Sequence, residues 1–290
     1  MLKKLISKFL LFWMPVAFLN TENDLVDLTT CQFATMDEED EQESILGLGA
    51  NISKLLTTNN GVPGRIVGRH EVYRRLGASE YIIDTVREGY RLVLESNPPP
   101  TLTPNNKSAL NMPDFVIEEL NRLESLGCLE RVYKQPTVVM PLSAVFSKKW
   151  RLVLDASRDV NPYCEKISIK LDDLSTVAQV VRKGDYMISN DLDSGYWHIG
   201  IHPEDRHLLG VHFVDDQGDT KFWVWKVLAL GLRDAAHIFT KIIKPIMGEL
   251  RQKGFRCLIY IDDKLTINQG YLACLEQEQK EKELFEEAGW

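Results

Sequence analysis

Two short stretches of the sequence end an apolar run in carboxylates. The first reads YIDDKL from Tyr260 to Leu265, so that Asp262 and Asp263 stand side by side where the apolar run CLIY ends. Burying even one unpaired charge is costly. The pair therefore indicates either a solvated hairpin turn, in which Asp is common, or a site where a cation neutralises the charges.

The second stretch is MISNDLDSGYWHI, over Met187–Ile199. In a strand, Asp191 and Asp193 share one face, because side chains alternate between the two faces. The strand is predicted to end at Ser194-Gly195, a break that exposes backbone N–H groups, and Tyr196 follows directly. Taken alone, this pattern is typical of a strand with a wet polar face. The segment nevertheless combines a carboxylate, exposed amides and an aromatic ring, and it is the second place, after YIDD, where an apolar run ends in acids.

The spacing of apolar residues predicts the elements that position these stretches. Helices are predicted over Ser79–Leu94, with a turn to extended chain near its end, and over Pro113–Gly127, Leu174–Arg182, Ala235–Leu250 and from Tyr271 to the last residue. Strands are predicted over Val138–Phe146, Trp150–Leu154, Tyr186–Leu192, Leu208–Val214, Lys221–Val227 and the hairpin Arg256–Asn268. This order predicts an α+β fold with helices packed on one face of an antiparallel sheet.

The composition is that of a globular protein, but the charge is unevenly distributed. The chain has 290 residues, 44% of them hydrophobic, and a formal net charge of -8. Nine acids and no Lys or Arg lie between Thr21 and Ser44, and six acids against two Lys lie between Glu276 and Trp290. Without these pieces and the basic first twenty residues, the middle of the chain carries about +2. Net charge therefore neither supports nor excludes a polyanionic partner.

The cysteines and the N-terminus predict an intracellular protein, in the cytoplasm or nucleus. The five cysteines are scattered without a CxxC pair, which indicates reduced thiols and argues against a zinc site or a disulfide framework. The opening MLKKLISKFLLFWMPVAFL has the basic start and apolar run of a signal peptide, but Lys8 and Pro15 interrupt it. It is too short and broken to span a membrane, so we expect neither a signal peptide nor a membrane partner.

Four motifs in a fixed order resemble those of reverse transcriptases. DLDSGY and YIDD are similar to the first and third palm motifs, and LGLRDAAHIFTK at Leu230–Lys241 resembles the helix motif between them. WRLVLDASRDVN at Trp150–Asn161 is similar to the fingers strand. The wider run, which includes VPGRIVGRHEVYRRLGAS, most resembles the polymerase of DIRS-type retrotransposons, mobile elements that integrate by a tyrosine recombinase. The resemblance covers roughly Val62–Trp290.

The resemblance implies a polymerase palm, with a ferredoxin-like antiparallel sheet, joined to fingers. Three regions are expected. The acidic composition and the lack of apolar periodicity predict a leader and acidic, disordered tail over 1–44. A helical and extended region leading into the fingers follows over 45–135, and the resemblance implies the fingers and palm over 136–290. Relatives continue into a thumb and an RNase H domain, so the resemblance implies a C-terminally truncated enzyme. The expected partners are an RNA template, a DNA primer and deoxynucleotides.

The resemblance also assigns roles to individual residues. Asp191, Asp262 and Asp263 would be the catalytic carboxylates and the ligands of two Mg²⁺ ions, with Mn²⁺ possible in their place. The nucleotide would be held by residues of the fingers, of the first palm motif and of the helix motif: Lys148, Lys149, Arg151, Ser194, Gly195, Tyr196 and Gly231. Among these, Tyr196 would be the gate that excludes a ribose 2'-hydroxyl.

Two other functions remain open at the level of sequence. The chain could be an inactive or co-opted remnant that only binds nucleic acid. Alternatively, Asp191-Leu192-Asp193 could be the metal-binding DxD of a nucleotide-sugar glycosyltransferase, with the apolar leader as its anchor. The second reading leaves YIDD, WRLVLD and the helix motif unexplained.

Overall fold

The computed structural model describes residues 32–34, 63–147, 149–167, 169, 171–172, 174–215 and 217–290. The backbone divides into two compact units. The first unit contains the described residues within 1–60, 170–193 and 243–287, and the second contains those within 61–169, 194–242 and 288–290. No helix in these described ranges is long and apolar enough to cross a lipid bilayer.

The helices and strands alternate along the chain. The helices are α1 (His70–Arg75), α2 (Glu80–Glu88), α3 (Lys107–Leu110), α4 (Pro113–Ser125), α5 (Leu174–Val180), α6 (Ala235–Gln252) and α7 (Tyr271–Glu287). The strands are β1 (Gln32–Ala34), β2 (Thr101–Leu102), β3 (Leu129–Val132), β4 (Val138–Met140), β5 (Leu142–Phe146), β6 (Trp150–Leu154), β7 (Tyr186–Asp191), β8 (Gly210–Val214), β9 (Thr220–Trp225), β10 (Arg256–Tyr260) and β11 (Asp263–Asn268). Short 3-10 helices cover Asn161–Tyr163, Gly195–His198 and Pro203–Leu208.

The first unit is built on a four-stranded sheet in the order β1-β7-β11-β10. The pairs β7–β11 and β10–β11 are antiparallel, whereas β1 joins the edge of β7 in parallel. On one face Met187, Leu265 and Ile267 pack against Val181, at the end of α5. On the other face Thr266 contacts Glu281 of α7.

The predicted arrangement with helices on one face of an antiparallel sheet is therefore wrong in two respects. The sheet is mixed, and helices cover both of its faces. The cause lies in the strands, because Ile188 and Thr266 are neighbours on the reverse face and both are buried, so that this face also has to be shielded from water. A three-residue strand, β1, also lies within the tail that the sequence predicts as disordered over 1–44, whose other residues are outside the described ranges.

The second unit contains a five-stranded sheet in the order β2-β4-β8-β9-β3 and a separate two-stranded ribbon of β5 and β6. The sequence predicts one continuous strand over Val138–Phe146, and this prediction is wrong. Pro141 interrupts the strand, since proline has no N–H to donate to a ladder. The segment before Pro141 pairs with β2 and β8, and the segment after it pairs with β6.

Two predicted helices of the second unit form with buried faces, with α4 close to its predicted bounds and α2 shorter than predicted. Helix α4 begins at Pro113, where a missing N–H costs nothing, and ends before Gly127, whose φ is +80°. Its apolar stripe is buried at Val116, Leu120 and Leu123. Helix α2 ends at Gly89, with φ +99°, and the chain then runs extended, as the sequence predicts for the end of this segment.

Gly231 lies directly against the backbone of Leu154, at the end of β6. Its φ is +114°, and a Cβ placed there would lie 2.0 Å from the carbonyl oxygen of Leu154. The side chain of Asn161 spans the same junction: its Nδ2 donates to the Gly231 carbonyl over 2.8 Å, and its Oδ1 accepts from the N–H of Arg233 over 2.8 Å. Any side chain at 231 would have to displace β6.

We predict that Gly231→Ala destabilises the chain, because it combines an unfavourable φ with a backbone collision. The expected loss is at least about 2 kcal/mol, seen as a fall of about 4 to 8 °C in the melting temperature measured by circular dichroism. Gly248→Ala is the matched control: Gly248 lies inside α6, and nothing is within 4 Å of an added Cβ. That control should be neutral or stabilising by about 0.5 to 1 kcal/mol, and equal losses in the two variants would contradict the explanation.

Candidate active site

Three carboxylates meet at one end of the β7–β11 pair. Asp263 is directly opposite Asp191 in the antiparallel register, so both side chains project from the same face. The ladder extends one step further, because the N–H of Leu192 donates to the carbonyl oxygen of Asp262 over 2.9 Å. Residues about 70 positions apart in the chain are thus neighbours, as the sequence prediction of a shared site requires.

The hairpin that presents Asp262 has a strained turn. Tyr260 pairs with Asp263, so only Ile261 and Asp262 form the loop. Ile261 has a φ of +57°, a conformation that a β-branched residue rarely adopts. A positive φ at the first loop position alone is the geometry of a type II' turn, which matches the twist of the strands but favours Gly at this position.

Ser194, beside the other acidic stretch, also has a positive φ, of +52°. Ser194 and Ile261 are the two non-glycine residues with positive φ among the described residues, and each lies within three positions of a predicted carboxylate ligand. Strained backbone of this kind persists where the surrounding structure holds it, and it is frequent at functional sites. The backbone therefore marks the same two segments as the acidic residues do.

The carboxylates perturb one another. Packing around the Asp191 carboxyl raises its pKa although the residue keeps contact with solvent, and the nearby charges of Asp262, Asp263 and Asp193 raise the pKa further. Asp262 is half-buried and Asp263 is buried. A cation between these groups would relieve the repulsion.

The carboxylate oxygens are the ligands that a hard divalent cation prefers. Their side chains do not enclose such a cation: no group of three or more His, Cys, Asp or Glu in the described part of the chain is arranged to hold a metal ion. The backbone register therefore fits a carboxylate metal site, whereas the side-chain positions do not form a complete ligand shell.

The predicted nucleotide-binding residues belong to the second unit. Ser194 leads from β7 into the 3-10 helix Gly195–His198, and its carbonyl accepts the N–H of Trp197 over 2.8 Å. Gly195 is buried, and an added Cβ would lie 2.7 Å from the ring of Phe239. The Tyr196 ring meets Phe239 edge-on, with 5.2 Å between ring centroids, so its orientation is set by packing on α6.

Lys149 and Arg151 are exposed on the two-stranded ribbon of β5 and β6. Arg151 is opposite Val145, and the carbonyl of Lys149 accepts the N–H of Ser147 over 3.2 Å at the turn. The predicted site residue Lys148 is outside the described residues. Both described cations therefore project into solvent near the tip of the ribbon.

The ribbon is held at one end and exposed at the other. At its base, the N–H of Leu142 donates to Oδ1 of Asn105 over 2.8 Å. At its tip, Phe146 and Trp150 are 60% and 44% exposed and pack edge to face with centroids 5.2 Å apart. The tip thus combines cationic and aromatic side chains, and Trp150 also lies against Phe115 of α4, with 6.3 Å between ring centroids.

Sequence reasoning missed a polar network behind the carboxylates. Helix α7 was predicted only as a charged terminal helix, yet Cys274, Gln277 and Glu281 are buried along one side of it. Their spacing of three and four residues is that of a helix face turned to the core. The signal was present in the sequence, but polar residues in a buried stripe are easily read as solvent-facing.

The comparisons with known proteins point to one family. The family model described as "Reverse transcriptase (RNA-dependent DNA polymerase)" matches residues 137–288, just over half of the chain. This segment contains every predicted site residue. The family model and the carboxylate ladder therefore concern the same part of the molecule.

Several viral polyproteins are similar to shorter parts of the chain. The genome polyprotein of Petunia vein clearing virus (isolate Shepherd) is 30% identical over 125 residues, which cover 42% of this chain and 5% of the polyprotein. The Pro-Pol polyprotein of Simian foamy virus type 3 (strain LK3) is 26% identical over 142 residues, which cover 49% of this chain and 12% of the polyprotein. The enzymatic polyprotein of Cestrum yellow leaf curling virus is 29% identical over 97 residues, which cover 33% of this chain and 14% of the polyprotein. The chain thus spans a small part of each relative.

The raised pKa of Asp191 predicts a pH-dependent effect of its neutralisation. The folded protein binds this proton more readily than the unfolded chain, so the stability that protonation contributes is present at low pH and is lost as the pH rises through the raised pKa. Asp191→Asn should therefore raise the melting temperature at pH 7 without divalent metal by about 1 to 3 °C. The gain should shrink as the pH falls toward about 4.

Scanning calorimetry between pH 4 and 8 measures this effect. Asp193→Asn is the matched control, since Asp193 lies outside the β7–β11 ladder, and it should change the melting temperature less. A lower melting temperature for Asp191→Asn at pH 7, or a gain that grows toward low pH, would contradict the assigned repulsion.

Proposed function

Because the chain belongs to the reverse transcriptase (RNA-dependent DNA polymerase) family, we propose that it adds deoxynucleotides to the 3'-hydroxyl of a DNA primer on an RNA template. The observation that carries this proposal is the register of β7 and β11, in which Asp191 is directly opposite Asp263. Membership of this family indicates an RNA-directed DNA polymerase. The substrates named above are a proposal for this chain, because the matched segments cover only 5 to 14% of the polyproteins described above.

Asp191, Asp262 and Asp263 would hold two Mg²⁺ ions, or Mn²⁺ in their place. When bound, such ions lower the pKa of the attacking hydroxyl and neutralise charge on the triphosphate and the leaving group. Support comes from the donor set, which is made of hard oxygen ligands, and from the like charges that raise the pKa of Asp191. The side chains of the three residues would have to reorient to bind, since they do not enclose a cation as placed.

Residues of the β5–β6 ribbon and of the segment that follows β7 would bind the incoming nucleotide. Arg151 would contact phosphate oxygens through its planar guanidinium, and the exposed Lys149 would add a positive charge. The backbone amides of Ser194 and Gly195 would accept the triphosphate as a small anion nest, which the left-handed backbone at Ser194 supports. The ring of Tyr196 would lie under the sugar and exclude a 2'-hydroxyl, with Phe239 holding its orientation.

The second candidate function is binding of nucleic acid without catalysis. The specific observation in its favour is that the described carboxylates do not form a three-ligand cluster. Against it, all three acids that are predicted to bind metal are present. The glycosyltransferase reading of Asp191-Leu192-Asp193 has no support in the family to which the chain belongs.

We also propose that the chain derives from a DIRS-type retrotransposon and acts inside the cell. The motif run that begins near Val62 supports the first point, and a tyrosine recombinase reading frame beside the coding sequence is the expected observation. The second point is supported by the described cysteines, which are buried and unpaired. Consistent absence of a recombinase gene from genomic copies would count against the DIRS-type origin.

Primer extension tests the polymerase activity directly. A DNA primer on an RNA template should be extended with Mg²⁺ or Mn²⁺, and Asp262→Asn should lower the rate at least about 100-fold, because loss of a metal ligand removes several kcal/mol of transition-state stabilisation. Asp193→Asn is the control and should retain most of the activity. Extension that survives Asp262→Asn would refute the assigned chemistry. Template binding without extension by the wild type would favour the binding-only function.

Nucleotide discrimination tests the role of Tyr196. Replacing Tyr196 by Ala removes the ring, and we expect the ratio of ribonucleotide to deoxynucleotide incorporation to rise about tenfold or more, or about 1.4 kcal/mol. Tyr196→Phe keeps the ring and its contact with Phe239, so it should discriminate like the wild type. The measurement is the ratio of kcat/KM for a deoxynucleotide to that for a ribonucleotide. An unchanged ratio in Tyr196→Ala would show that Tyr196 does not exclude the 2'-hydroxyl.

A further inference from the structure

The two residues that flank the carboxylates on the inner side of the ladder are also opposite each other. Asn190 precedes Asp191, Lys264 follows Asp263, and Lys264 pairs with Asn190 in the β7–β11 register. Because side chains alternate along a strand, Asn190 and Lys264 project from the face opposite to the carboxylates. The strand ends thus present acids on one face and two polar groups on the other.

Lys264 is buried in a complete polar network. Its Nζ lies 2.6 Å from Oε2 of Glu281 on α7, and the two side chains are 4% and 0% exposed. Thr266 donates its hydroxyl to the same oxygen over 2.5 Å, and Gln277 donates to Oε1 over 2.7 Å. Both carboxylate oxygens of Glu281 therefore have partners. A charged pair that is this well satisfied fixes one relative position of strand and helix.

Asn190 makes the corresponding contact from β7. Its Nδ2 donates to Oε1 of Glu278 over 2.6 Å. Glu278 and Glu281 are three residues apart, so they lie on the same side of α7. One helix thereby holds the ends of both carboxylate strands, each through the residue next to a predicted metal ligand.

We infer that Lys264 and Asn190 are positioning residues, which hold the ends of β7 and β11 in register so that Asp191, Asp262 and Asp263 can bind metal together. This inference rests on the proposed function. Repulsion among the carboxylates tends to separate the two strand ends, and it acts on the face opposite to α7. The contacts of Asn190 with Glu278 and of Lys264 with Glu281 oppose that separation on the α7 face of the sheet, so neither residue would contact the metal or the substrate.

The test measures Mn²⁺ binding by the full chain, using the electron paramagnetic resonance signal of the free ion. The main variant is Lys264→Met with Glu281→Gln, which removes one positive and one negative charge, keeps the net charge and preserves similar side-chain volumes. We expect its Mn²⁺ dissociation constant to rise about tenfold, as is usual when groups that orient metal ligands are lost. Asn190→Ser, which removes a single hydrogen bond, should raise it about threefold.

The control is a buried ion pair of the same unit, far from the carboxylates. Arg256 binds both carboxylate oxygens of Asp185 over 2.6 Å, and Asp185 is fully buried. Asp185 precedes β7, about 20 Å along the strand from Asp191. Arg256→Met with Asp185→Asn should leave Mn²⁺ affinity within about twofold of the wild type, although it removes the same charges.

The outcomes separate this inference from the proposed function. If Asp262→Asn does not weaken Mn²⁺ binding, the proposed metal site is wrong and the positioning role is lost with it. If Asp262→Asn weakens binding but the Lys264/Glu281 variant does not, the metal site stands and the positioning role is refuted. Equal weakening in the Arg256/Asp185 control would show general loosening and would also refute it. Should the Lys264/Glu281 variant fail to fold, unchanged binding in Asn190→Ser decides against the inference.

Discussion

Repulsion between carboxylates opposite each other in a β-ladder is the constraint around which the first unit is organised. Asp191 and Asp263 occupy paired positions, where like charges destabilise a sheet. Local sequence preference does not favour this arrangement, so the rest of the unit has to impose it. The apolar face formed by Met187, Leu265 and Ile267 supplies burial along the strands, and the strained turn at Ile261 carries the third acid to the same end.

The reverse face of the same sheet shows how a polar network can serve specificity rather than stability. A buried ion pair such as Lys264–Glu281 seldom stabilises a fold more than apolar side chains of similar volume would. It does, however, accept only one geometry, because each donor and acceptor has a defined partner. Such a network suits a location where register matters more than the total free energy of folding.

Much of this structure follows from local sequence pattern. The bounds of α4, the hairpin of β10 and β11, and the acidic strand end at Asp191 could all be predicted, because they depend on apolar spacing, caps and turns within a few residues. The make-up of the four-stranded sheet could not be predicted in this way. Its parallel edge strand β1 and the helices that cover both of its faces depend on contacts between distant segments. Pro141 gave a readable signal that one strand should be two, and it was outweighed by the apolar run around it.

The candidate site divides in the same way. The type and spacing of Asp191, Asp262 and Asp263 predict a carboxylate site from the sequence. Which of them are opposite each other is seen only in the folded sheet. The polar partners behind them were missed because Glu281 looks like one more acid on a charged helix. Its burial becomes visible only when the helix is seen against Lys264.

The break at Pro141 also has a mechanical consequence for the ribbon that carries Lys149 and Arg151. Since β5 and β6 pair only with each other, bending their outer half breaks no ladder bond of the five-stranded sheet. The hydrogen bond from the N–H of Leu142 to Oδ1 of Asn105 holds the inner end of the ribbon. Two-stranded ribbons are marginally stable by themselves, so the positions of Lys149 and Arg151 depend on neighbours outside the ribbon: the N–H of Ala144 donates to Oγ of Ser108 over 3.2 Å, and Trp150 lies against Phe115.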